Sequence, residues 1–217
     1  MASVKNPTTF SGRVIDDPKI AKFLFSDIRM SWVWLIVRIW LGYEWIETAL
    51  HKITSPAWVQ TGEELKSYWI TAVKVDVVTG KGDIAYGWYR DFLNVLLDAQ
   101  AYTWFGKLVA YGELLVGIGL VFGAFAGIAA FFGALLNFNF LLAGTSGTNS
   151  LLLLAALLIV LAWKIAGFIG ADYFLLRFVG VPWEEQGKRG EEARKNAGEV
   201  KSSKVSVGRE QRTEVRI

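Results

Sequence analysis

Cysteine is absent from the 217 residues, and histidine occurs once, at His51. The first absence excludes disulfides, thiol redox chemistry and cysteine-ligated metal within the chain. The second excludes a haem held by two histidines of one copy. The sequence also lacks a P-loop, a dinucleotide fingerprint in a strand–helix context and a metal-ligand cluster. No cofactor is therefore expected to be bound within the chain. Charge is scarce in the middle: the stretch 108–136 holds one charged residue, Glu113. In water so long an apolar run would aggregate, whereas a bilayer crossing needs about 20 such residues. The net charge of +3 comes from basic residues split between the two ends, with no basic stripe interleaved with aromatics. Nucleic acid is accordingly not an expected partner.

What is present reads as an all-α, polytopic membrane protein, a bundle of four transmembrane helices with an amphipathic outer segment between helices 1 and 2. Residues 1–30 form a polar N-terminal flank with no cleavable signal peptide expected, and 18–25 can form a short surface helix. Helix 1 runs over about 31–53 and opens on Trp32 and Trp34, as helices entering an interface do. Residues 54–105 are polar and rich in Trp and Tyr. They suit two short amphipathic helices, near 62–73 and 87–99, lying against the membrane; a small soluble insert is the alternative. Residues 107–143 suffice for a hairpin of two crossings, about 107–124 and 126–143, turning at Phe122–Gly127. Glycines recur along it and allow close helix approach. Helix 4 is expected over about 151–171. The segment 184–217, with nine basic and seven acidic residues, reads as a disordered tail.

Lys and Arg number five in 1–30 and ten in 177–217, against four in 54–105 and none in 144–150. The positive-inside rule then puts both ends in the cytoplasm.

Ionisable groups at hydrocarbon depth are normally paired or turned to a polar cavity. Trp40, Glu44, Glu47 and His51, spaced by four, three and four, share one helical face. Two carboxylates and an imidazole in such a stripe form a proton path, or serve a quinone oxygen as general acid and base. The other reading is that Glu47, His51 and Lys52 are wet at the outer interface. Arg38, roughly a third of a turn away, either pairs with Glu113 or with a carboxylate of a neighbouring helix to fix packing, or presents its fork of donors to an anion or quinone head. Glu113 reads as a pairing or functional residue facing the bundle. Asn137 and Asn139 either hydrogen-bond between helices or line a pocket for a small oxoanion. Lys164 reads as a snorkelling interface residue, and Asp172 as a helix cap or a partner for a cytoplasmic base. Catalytic candidates are thus Glu44, Glu47, His51 and Glu113, with Arg38, Asn137, Asn139 and Lys164 as binding candidates and no metal site.

Arg38 and Gly42 followed by Lys52 resemble the first helix of DoxX/DoxD-like membrane proteins. The block Tyr111-Gly-Glu-Leu-Leu-Val-Gly117 adds to the likeness, as do Asn137-Phe-Asn-Phe-Leu-Leu-Ala-Gly-Thr145, Thr148-Asn149, Ala162-Trp-Lys164 and Gly170-Ala-Asp172. The resemblance covers about 31–178. It implies a bacterial inner-membrane four-helix bundle and the membrane subunit of a thiosulfate:quinone oxidoreductase, with membrane quinone as co-substrate. It also makes Arg38, Glu113, Asn137, Asn139 and Lys164 candidate functional positions. That enzyme has a second, smaller component with no counterpart in this chain, so a partner subunit or a homo-oligomer is expected. Two other readings stand beside the enzyme: a non-catalytic accessory or assembly subunit of a larger respiratory or photosynthetic complex, and, ranked last, a small-solute or proton transporter.

Overall fold

A computed structural model describes residues 18–75, 80, 82–145 and 147–179. The flank before Pro18 and the expected disordered tail lie outside the described residues. The helices belong to a compact unit ending at Leu176; only the last turn of the final helix reaches the second unit, Arg177–Ile217. Among the described residues the structure is helical, with one isolated bridge between Val75 and Gly82.

The elements in chain order are α1 (Lys19–Ser26), α2 (Ser31–Thr54), α3 (Pro56–Val59), α4 (Glu63–Val73), α5 (Gly87–Asp98), α6 (Tyr102–Phe122), α7 (Ala126–Leu142), α8 (Thr148–Leu161), α9 (Trp163–Ala166) and α10 (Asp172–Val179). Pro56 explains where α2 stops. The residue before a proline is pushed out of the α region, and Ser55 is extended with ψ 114°. The proline then starts α3 at a position where its missing N–H is no loss.

The hairpin between α6 and α7 turns on Gly123, at φ +66°, and on Phe125, at φ +50°. The helix expected over 151–171 is shorter than its apolar run. It ends at Leu161, resumes for one turn as α9, and gives way to a tight turn before α10. That turn is held against the hairpin: Ala171 N–H donates to Phe122 O (3.0 Å) and Asp172 N–H to Gly123 O (2.7 Å). Its tertiary bonds replace the helical ones that the apolar pattern alone would favour.

The side chains of α7 are sorted by size. On α7 the buried residues are Ala126, Ala130, Gly133, Ala134 and Asn137, while Ile128, Phe131, Phe132, Leu135 and Phe138 are exposed. On α8 exposed Leu151, Leu154, Leu157 and Leu161 alternate with buried Leu152, Ala155, Ala156 and Ile159. Small residues let backbones approach. At the crossing of α2 and α6, a Cβ on Gly42 would lie 3.0 Å from Gly117 O.

A second cluster of buried side chains caps one end of the bundle, built from Leu65, Trp69, Ile84, Tyr89, Leu93 and Tyr102. Tyr89 O–H donates to the backbone oxygen of Asn139 (3.1 Å), tying α5 to α7. Burial pushes the Tyr89 phenol up to about 12. Because the folded state keeps this proton while the unfolded chain releases it near pH 10, the contribution is constant below pH 10 and is lost between about 10 and 12. In thermal melts across that window the protein should lose stability relative to Tyr89→Phe. Parallel pH profiles would mean that the phenol is not held in an apolar cap.

Candidate functional site

The buried face of α2 is built from Trp34, Arg38, Leu41, Gly42, Trp45 and Ala49, a stripe at three- and four-residue spacing. Lys52 continues it. Its ammonium donates to Glu113 Oε1 of α6 in an ion pair, with the Glu113 side chain 1% exposed and that of Lys52 18%. The ammonium also lies over two rings, 5.2 Å from the centroid of Trp58 and 5.1 Å from that of Phe140. The chain turns back at Ser55–Pro56, and this turn brings Trp58 of α3 over the lysine.

Beside this pair is a cavity of about 210 Å³ whose walls include Trp45, Lys52, Glu113, Asn137, Phe140 and Asn149. Among the described residues, four buried polar atoms of those walls have no hydrogen-bond partner: Glu113 Oε2, Asn137 Oδ1, Asn137 Nδ2 and Trp45 Nε1. Unpaired buried polar groups are rare because each carries a desolvation penalty. Four such atoms around one cavity make it the candidate site for a polar ligand. The cavity also has a defined electrical character. Lys52 and Glu113 cancel, so it is polar but without net charge.

A longer groove of about 620 Å³ runs between α6 and α7, roofed at one end by α4 and α5. It is apolar over most of its length. Leu65, Tyr68 and Phe140 border both the groove and the polar cavity.

The eight sequence-level candidates are therefore dispersed. Glu113 and Asn137 meet at the polar cavity. Asn139 lies on the groove instead, with Nδ2 donating to Leu135 O (2.8 Å). Two residues along a helix is about 200° of rotation, so Asn137 and Asn139 cannot serve one pocket.

Arg38 is not the partner of Glu113, and Arg38, Glu44 and Glu113 do not meet in one pocket. Arg38 is fourteen residues before Lys52, about 21 Å along α2. Its guanidinium donates to Ile169 O (2.8 Å) and packs on Gly123 and Gly170. Glu44 is half-buried, Glu47 and His51 are exposed, and none of the three lines either cavity. They sit on a face of α2 turned away from its buried stripe. Lys164 is also remote, exposed on α9 with its ammonium 5.8 Å from the Trp163 ring.

Two residues carry more than the sequence suggested. For Lys52, solvation at the outer interface was one of the readings, yet the stripe Arg38–Leu41–Trp45–Ala49–Lys52 is a signal for burial. Asp172 has both carboxylate oxygens engaged, accepting from Phe125 N–H (2.5 Å) and Ala126 N–H (2.8 Å). It caps the start of α7 from the far end of the unit, where a negative charge also meets the positive end of the helix dipole. Asp172→Asn keeps one acceptor but loses the charge. It should lower stability in detergent by about 1–2 kcal/mol without altering ligand binding at the polar cavity. A thermal melt beside a binding titration checks both halves.

Comparison of the chain with protein-family models, with characterised proteins and with solved structures returned no match.

Proposed function

We propose that the chain is an integral membrane protein in which α2, α6, α7 and the pair α8–α9 cross the bilayer. On this reading α3 to α5 lie at the outer face and both ends are cytoplasmic in a bacterial inner membrane. Helix α6, 21 residues, is the one described helix both long and apolar enough to cross on its own terms; α7 and α8 are apolar but shorter. The large apolar side chains exposed along α6, α7 and α8, with small ones turned inward on α7, support the reading, since they suit lipid as the surrounding solvent and would form an adhesive surface in water. Helix α2 is 24 residues, about 36 Å, and turns Arg38 inward.

We further propose that the Lys52–Glu113–Asn137 cavity takes the head group of a membrane quinone. The chain would then be the membrane subunit of a quinone-linked oxidoreductase, thiosulfate being the donor that the DoxX-like resemblance implies. The observation that carries this is the set of four unpartnered polar atoms around a cavity with no net charge. A dry cavity of roughly 150 Å³ holds a benzene ring, so about 210 Å³ suits one substituted six-membered ring. A small oxoanion would find no excess positive charge, because Glu113 already answers Lys52. Oxidation of the donor is therefore assigned to a partner subunit rather than to this cavity.

A quinone supplies the redox chemistry, taking up two electrons and two protons. Its oxygens accept hydrogen bonds when oxidised and donate them when reduced. The cavity offers both kinds of partner: Asn137 Nδ2, Trp45 Nε1 and the Lys52 ammonium as donors, Glu113 Oε2 and Asn137 Oδ1 as acceptors. Lys52 and Glu113 hold a proton between an ammonium and a carboxylate, within the walls of the same cavity.

The test uses the purified protein in nanodiscs. Trp45 and Trp58 line the cavity, so a quinone should quench tryptophan fluorescence saturably, and thiosulfate should reduce it when neighbouring subunits are co-expressed. Absence of saturable quenching would remove the quinone reading.

The accessory-subunit alternative keeps one specific support. Glu44, Glu47 and His51 face outward on a helix otherwise rich in exposed apolar residues, and carboxylates facing lipid are costly unless covered. A stoichiometric complex that withstands loss of the polar cavity would favour it.

A further inference from the structure

The polar cavity accounts for one end of a ligand, and the groove between α6 and α7 has no part in it so far. The groove has three properties that together point to one occupant. Its length comes first. On α6 it extends from Phe105 to Gly119, about 21 Å, and along α7 with its two flanking residues from Ala143 back to Phe125, about 27 Å. Its polarity comes second. Among the described residues, polar side chains border it at the end roofed by α4 and α5, where Tyr68, Tyr89 and Asn139 lie, and the rest is lined by residues such as Leu115, Ile128 and Phe132. Its position comes third. Leu65, Tyr68 and Phe140 form a wall common to the groove and the polar cavity, and the Phe140 ring sits against the Lys52 ammonium.

The groove exists because the hairpin arms pack elsewhere, α6 chiefly on α2 and α7 chiefly on α8. Gly112 adds to the opening: it lines the groove, and a Cβ at that position would meet nothing within 4 Å. A partner helix is a poor occupant, since α4 and α5 cover one end and a spanning helix would run into them.

We infer that this groove seats the isoprenoid tail of the same ligand whose head enters the polar cavity, so that the substrate class is a long-tailed, membrane-resident quinone. The inference rests on the quinone reading of that cavity and adds the tail to it. The tail passes the Phe140 wall and lies along α6 and α7, which lets the quinone enter from the membrane without its head crossing an apolar barrier alone. The groove thereby selects for chain length, and the cavity for the ring.

The experiment separates head from tail. A tail-less benzoquinone and the same ring carrying a ten-carbon chain are titrated by tryptophan quenching in one nanodisc preparation, with wild type and with Gly112→Leu. The substitution adds bulk where a Cβ meets nothing within 4 Å and replaces a helical glycine by a better helix former, so folding should be unharmed. Leu115→Ala serves as a second variant that thins the tail contact instead. The expected result is that the tailed ligand binds wild type at least tenfold tighter than the tail-less one. Gly112→Leu should abolish that ratio and leave tail-less affinity unchanged, and Leu115→Ala should reduce it a few-fold.

If the ratio is the same in wild type and both variants, the groove does not hold the tail, while the head-group reading stands. If a phospholipid stays bound to the purified protein and the tailed quinone fails to displace it, the groove belongs to lipid and the inference falls. If neither quinone quenches wild type, the head-group reading fails and this inference goes with it.

Discussion

Lys52→Met lowers the stability of the protein by about 3–5 kcal/mol, the usual consequence of removing one partner of a buried ion pair. The reason is asymmetry. The Glu113 side chain is 1% exposed and its Oε2 has no partner among the described residues, so loss of the ammonium leaves a buried carboxylate without its counter-ion. The methylenes of Lys52 also support Trp58 and Phe140, but methionine keeps most of that packing. In a domain of this size such a loss corresponds to a drop in melting temperature on the order of 10 °C.

The double variant Lys52→Met with Glu113→Leu is the informative control. An apolar pair of similar volume in place of a buried ion pair is commonly neutral or stabilising, so the double variant should melt within a few degrees of wild type. It should also bind no quinone. A single Lys52→Met as mild as a surface substitution, under about 0.5 kcal/mol, would show that the ion pair is not sequestered, and the charge-neutral cavity would lose its basis.

Much of the helical layout was legible because the governing signals are local. Apolar runs bounded by Pro56 and by the glycines near 123 announce α2, α6 and α7 through backbone chemistry that needs no partner. Glu113 stood out for the same kind of reason, a lone charge in a long apolar stretch. Partner choice was a different matter. Arg38, Lys52 and Glu113 all lie on inward faces, but which cation meets Glu113 depends on how far α6 is shifted along α2. The close Gly42–Gly117 crossing sets that shift, and nothing in the spacing of the charges reveals it.

The Glu44–Glu47–His51 stripe shows the opposite failure. Its periodicity is real and it does share a face, but periodicity identifies a face without telling which one is buried. The apolar-to-small pattern of the neighbouring positions, Leu41, Gly42, Trp45 and Ala49, was the better guide to the core. Asp172 was weakly marked because its partners, the N–H groups of Phe125 and Ala126, lie more than forty residues earlier. Likewise, the break in the fourth apolar run after Leu161 answers to the docking of 167–172 on the hairpin, not to any breaker at the break.

Asn137→Leu should move stability and binding in opposite directions. The asparagine is fully buried, and neither of its amide atoms has a hydrogen-bond partner among the described residues. Leucine has a similar volume, so the substitution removes two unsatisfied polar atoms without opening a cavity. The gain expected from relieving such a group is about 1–3 kcal/mol, read as a higher melting temperature of the ligand-free protein. The same change removes a donor and an acceptor from the cavity and makes that wall greasy. Quinone affinity should fall at least tenfold, about 1.4 kcal/mol or more. A residue whose loss stabilises the fold and disables the site is one retained for function rather than for folding. That signature separates a ligand site from an interhelical hydrogen bond, because an amide bridging two helices would lower stability when replaced. If Asn137→Leu melts lower than wild type, the amide is structural, and the four unpartnered atoms no longer argue for a bound ring.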